Sequence, residues 1–142
     1  MRHLPVAADQ IFDFSTTPLV PAALAWEPGA GGRPTISWAN ADPLATANTV
    51  GFSYRPPAPE RSSYYYTLTA PASVTSLVFP ELPDELAAYR PAAYDNLSLV
   101  TMRFDSPIDY NGFLAAVNAH GDRFYEAEGL ERQGYARVSL LP

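Results

Sequence analysis

The chain has 142 residues, enough for one domain with a sizeable core and no need of a disulfide or metal to hold it. Its 47% hydrophobic and 17% charged residues place it among globular proteins and exclude a wholly disordered chain. The net charge is −6, and all nine positive charges are arginines scattered from Arg2 to Arg137, so the basic patch that nucleic-acid binding requires is missing. With no cysteine, disulfides, thiolate nucleophiles, zinc-thiolate sites and iron–sulfur clusters are excluded as well. No apolar run reaches the roughly 18 residues that span a bilayer. Fifteen prolines against eight glycines argue against long helices and for short, interrupted segments. The choice of arginine and alanine over lysine suits a GC-rich bacterial genome.

In chain order, Met1–Ala8 has one arginine and an apolar stretch too short for a signal peptide, leaving a cytoplasmic protein, or an excised domain or mature chain, as readings. Residues 1–10 are expected to be mobile. Ile11–Phe14 reads as an edge strand broken at Pro18. Leu19–Trp26 is crowded by Pro18, Pro21 and Pro28, which predicts an irregular segment or a bent strand rather than a helix. Glu27–Pro34 is a turn. Period-two alternation then predicts strands at Pro34–Asn40, with Ile36 and Trp38 on one face, and at Thr49–Tyr54, with Val50, Phe52 and Tyr54 aligned. After the proline-rich loop Pro56–Arg61, Ser63–Thr69 alternates again: Tyr64, Tyr66 and Leu68 share one face, Tyr65, Thr67 and Thr69 the other.

Val74–Phe79 is a further strand closed by Pro80, and Pro83–Tyr89 reads as one or two helical turns with acids at its start. Asn96–Phe104 is apolar on both faces, which predicts a central strand. The best helix is predicted to start at Ser106 as N-cap with Pro107 at its first position. Tyr110, Phe113, Leu114 and Val117 form its apolar stripe, and Gly121 ends it. Gly112 inside it costs about 1 kcal/mol relative to alanine, so packing must hold it. Asp122–Glu128 and Tyr135–Leu140 complete the strand candidates, and the apolar end Val138–Pro142 suits a last strand locked into a sheet. These seven or eight short strands predict a mostly β single domain over residues 1–142, an antiparallel sandwich with one or two short inserted helices.

Candidate chemistry is sparse. His3 lies near the terminus and His120 near the helix end, where it suits the negative helix pole, and neither belongs to a catalytic motif. Asp105 with Asp109, and Glu126 with Glu128, are spaced acceptably for glycoside hydrolysis, though fifteen acids generate such pairs by chance. Asp105–Gly112 has a trace of a calcium loop, but helix-capping groups account for it, and no cofactor or metal is expected. Asn96-Leu97-Ser98 fits a glycosylation triplet and is read as coincidence. Aromatics concentrate in the first half, and Tyr65, Trp26 and Tyr54 are the binding candidates, Tyr65 foremost because it shares its face with threonines.

Arg33–Trp38, then Tyr66–Pro71 leading to Leu77–Leu86, and finally Ile108–Phe113 occur in an order that resembles C-terminal modules of uncharacterised myxobacterial surface or secreted proteins. The Ile36-Ser37-Trp38 segment looks like the second strand of immunoglobulin/fibronectin III-like sandwiches. The resemblance covers about half the chain, is carried by structural motifs, and transfers no catalytic residue. It implies an extracytoplasmic sandwich in a bacterial envelope or secreted protein. The expected function is a non-catalytic binding, adhesion or assembly module for a protein or glycan partner. One alternative is a self-assembling filament, phage or surface-layer subunit that associates through edge strands. Another is a glycan-active enzyme working through carboxylates such as Glu126 and Glu128.

Overall fold

A computed structural model describes residues 21–39, 42–59, 62–104, 108–121 and 132–140. Alternating side chains form β1 (Ala22–Glu27), β2 (Thr35–Ala39), β3 (Ala47–Tyr54), β4 (Tyr64–Pro71), β5 (Ser76–Val78), β6 (Asn96–Phe104) and β7 (Arg132–Leu140), with helix α1 (Tyr110–His120) between β6 and β7. They build a three-stranded sheet in the order β1-β2-β5 and a four-stranded sheet in the order β4-β3-β6-β7. Every pairing is antiparallel. This is the mostly β, two-layer architecture that period-two patterning predicts. Ile11–Phe14, Leu19, Ser106, Pro107 and Asp122–Glu128 lie outside the described residues.

The interior between the sheets is filled by Leu24, Ile36, Trp38, Val50, Phe52, Phe79, Leu97 and Leu99. Phe52 is fully buried and joins both layers: its ring lies 5.1 Å from Trp26, 5.0 Å from Tyr66 and 5.7 Å from Phe79. The proline-crowded segment before the first turn is a bent strand, as expected. β1 slips register between Ala22 and Ala25, and Ala23 takes a positive φ of 53°. Pro83–Tyr89 holds the short helix expected, with Asp84 and Glu85 in its first turn: Asp84–Tyr89 is 3-10 helix broken at Leu86, and Asp84 also pairs with Arg90 at 2.7 Å.

β6 is doubly covered for an identifiable reason. Leu97, Leu99 and Thr101 face the sandwich interior, while Met102 and Phe104 face outward and join Ala47 and Phe113 in a second apolar cluster under α1. Val100, Ile108, Tyr110, Leu114 and Val117 pack around that cluster, so the helical stripe read from the sequence is the face that meets the sheet. The N-terminus of α1 corrects one expectation. The cap is Asp109, not Ser106, because the Asp109 carboxylate accepts the Gly112 N–H at 2.8 Å and satisfies a donor that the helix itself leaves free.

Two polar devices sit within the interior. Asn48 and Thr101 are fully buried on adjacent strands; Thr101 Oγ1 donates to Asn48 Oδ1 at 2.8 Å, and Asn48 Nδ2 points at the carbonyls of Ala72 (3.4 Å) and Val74 (3.5 Å). Thr101→Val keeps the shape but strands Asn48 Oδ1 away from water. Urea denaturation should therefore show a loss of about 1–3 kcal/mol, and an unchanged midpoint would contradict the network. The Tyr66 hydroxyl donates to the Tyr89 carbonyl. Burial, then the neighbouring Tyr54 and Tyr89, pushes the Tyr66 pKa above the ordinary 10.0. The folded chain thus keeps a proton that the unfolded chain has lost, so this contribution is complete below about pH 10 and fades as pH rises through the folded value. Tyr66→Phe should lower stability by about 1 kcal/mol near neutrality and flatten the alkaline decline relative to the parent, read by denaturation at a series of pH values.

Candidate functional site

Three chain connections meet at one end of the sandwich. Pro43–Thr46 joins β2 to β3, Pro71–Ser73 leads from β4 toward β5, and Phe104 with Ile108–Tyr110 bridges β6 and α1. Together they surround a cleft of about 370 Å³. Apolar side chains (Pro43, Leu44, Pro71, Phe104, Ile108) line it together with Thr46, Ser73, Asp109 and Tyr110, and the surface it presents is more polar than apolar. Leu44 is 60% exposed, a large apolar side chain standing free on the rim.

Hydrogen bonds hold each wall. Asp42 Oδ1 accepts the Leu44 N–H at 2.9 Å and the Asp42 carbonyl accepts the Ala45 N–H at 3.3 Å, which closes the rim turn. Thr46 donates its N–H to the Met102 carbonyl at 2.9 Å and its carbonyl accepts from Ala72 N–H at 3.3 Å, so this residue ties two connections together. The Thr46 hydroxyl reaches the Ile108 carbonyl at 3.5 Å, and the Tyr110 hydroxyl donates to the Thr69 carbonyl at 2.8 Å. The Asn48 amide described above holds the Pro71–Ser73 wall from beneath. Asp42 is itself buried, and its Oδ2 makes no hydrogen bond among the described residues, nor does the buried Trp38 Nε1.

Gly112 is explained here. A Cβ at that position would stand 2.7 Å from Ile108 Cγ1, and Ile108 lines the cleft. The glycine therefore lets the first turn of α1 close over Ile108.

The residues expected to bind are not gathered in this cleft. Tyr65 is 74% exposed on the outer face of β4, about 20 Å along the strand from Pro71. Trp26 is half-buried, against Phe52 and Tyr94. Tyr54 is 7% exposed and belongs to the interior, so it packs the fold and offers no face to a partner. Asp109 is the helix cap and His120 an exposed residue of the last helical turn. His3, Asp105, Glu126 and Glu128 lie outside the described residues. Among the described residues no group of three or more His, Asp or Glu side chains could hold a metal ion. None of their helices is long and apolar enough to cross a membrane.

Leu44 and Asp42 escaped sequence reasoning. The signal was an Asp-Pro-Leu turn between two strands, in which a large apolar residue occupies a position that turns ordinarily give to polar ones. No family model, curated protein or solved structure matches the chain.

Gly112→Ala should fail to bring the gain of about 1 kcal/mol that helix propensity alone predicts, and should lower the melting temperature instead. A rise on thermal denaturation would mean that Ile108 moves aside freely.

Proposed function

We propose that this protein is a non-catalytic binding module of a bacterial envelope or secreted protein, and that its end cleft receives an apolar side chain of a protein partner. The observation that carries the reading is Leu44, a large apolar side chain exposed on the rim of a mixed polar and apolar cleft whose walls are hydrogen-bonded in place. Pockets that bind are concave and pre-formed and combine apolar contact with polar groups that orient the guest; Pro43, Leu44, Phe104 and Ile108 offer the first here, and Thr46, Ser73 and Asp109 the second. Loops on a rigid frame are where sandwiches concentrate recognition. The composition and the resemblance in strand motifs support the bacterial, extracytoplasmic setting.

The test is selection of peptides from a random display library on the purified chain, with a glycan array in parallel. Selected peptides should share an apolar anchor. Leu44→Asp should weaken them roughly tenfold or more, as expected for loss of an interface anchor. Because Leu44 is exposed, the same variant should change stability by no more than about 0.5 kcal/mol. Ligands that bind Leu44→Asp and Ser73→Trp as well as the parent would remove the cleft from the site. Glycan binding lost in the same two variants would change the class of partner.

A further inference from the structure

The edges of the two sheets are not alike. β1 carries a register slip and a positive-φ residue, and β5 has only three residues. β7 slips register opposite Arg103 and Phe104 and bears the exposed Arg137. Each of those edges has a device that discourages strand addition: irregularity, brevity or charge. β4 has none. Its eight residues, Tyr64–Pro71, contain no charge, pair with β3 without a register slip, and place proline only at the end. Three tyrosines and two threonines give it high strand propensity.

The ladder also tells which backbone groups are open. Ala72 N–H donates to the Thr46 carbonyl, which continues the β3–β4 register and shows that even-numbered residues of this segment bond toward β3. The N–H and C=O groups of Tyr65, Thr67 and Thr69 therefore point away from the sheet. Tyr110 Oη covers the Thr69 carbonyl at 2.8 Å. Tyr65 and Thr67 remain open among the described residues, and both side chains are exposed.

We infer that β4 is a self-association edge, joined to β4 of a second copy antiparallel about a two-fold axis that passes midway between Tyr66 and the Tyr66 of that copy. A two-fold perpendicular to the sheet keeps the outer face outward, so only a register centred on a residue is allowed. Centring on Tyr66 sets Tyr65 opposite Thr67 of the second copy, and each such pair exchanges both backbone hydrogen bonds. It uses the two residues whose backbone is open and needs nothing from the covered Thr69 carbonyl. It also sets the 74% exposed Tyr65 ring beside a threonine and within diagonal reach of the other Tyr65. A second copy is the fitting occupant because the edge is free of charge and complementary to itself, despite a chain charge of −6. The cleft lies at the far end of β4, so this contact is independent of the function proposed above.

Sedimentation of the full chain over a wide concentration range tests it. The parent should dimerise, and Thr67→Lys should raise the dimer dissociation constant roughly tenfold or more, since an edge lysine opposes strand addition. The circular dichroism spectrum should not change. The register is tested by cysteines, which the chain otherwise lacks. Tyr65→Cys and Thr67→Cys chains mixed together should form a reducible cross-link, because residues opposite each other in a bonded pair stand about 5.5 Å apart at Cα. Neither variant alone should do so. A chain that stays monomeric to millimolar concentration overturns the inference, as does a dimer indifferent to Thr67→Lys. Equal cross-linking of the single variants overturns the register.

Discussion

Phe52 is the contact on which the two layers depend. It sits at the middle of a central strand, fully buried, with rings from β1, from β4 and from the residue after β5 around it. Edge-on and offset arrangements of aromatic rings are each favourable beyond the area they bury. Here the rings also settle the spacing of the sheets, because a large side chain reaching from one layer must find its partners in the other. Trp26 and Tyr66 are half-buried in consequence: they complete the cluster from its margins.

The second constraint is that β3 and β6 are covered on both faces. The sandwich interior takes one face, and α1 takes the end of the other. The helix does not cover the whole outer surface. It packs over Ala47, Met102 and Phe104, close to the connections, and leaves Tyr65 and Thr67 uncovered at the opposite end of β4. The cleft exists because Phe104 and Ile108 must turn from strand to helix beside the rim turn at Pro43–Thr46, and no side chain of the described residues fills the corner between them. Asp109 and Gly112 make that turn tight: one supplies the cap, the other the room for Ile108.

The architecture was legible because alternation is a strong signal when strands are half-buried. Ile36 with Trp38, and Val50 with Phe52, face the interior as their spacing predicts, and the doubly apolar Asn96–Phe104 is central in its sheet. Signals resting on one residue type did worse. Ser106-Pro107 has the chemistry of a helix start, yet Asp109 caps the helix, because capping is decided by which carboxylate or hydroxyl lies over the open N–H groups, and two acceptable starts stood within four residues. Tyr54 and Tyr65 are the same residue type on neighbouring strands. One is interior and the other exposed, and only the period-two phase separates them. The cleft was not legible at all, since it is built from three segments distant in sequence that the strand order brings together.

The Asn48 amide holds the carbonyls of Ala72 and Val74 from inside the sandwich, and Thr101 orients that amide in turn. The connection after β4 is thereby held by two buried side chains on other strands in addition to its own bond from the Val74 N–H to the Pro71 carbonyl. The exposed side chains of the rim, Pro43, Leu44 and Ser73, take no part in those side-chain bonds. Recognition and foldability are thus written in separate residues, and the same frame is suited to diversification: a library randomised at those positions would change what is recognised while the scaffold beneath stays intact.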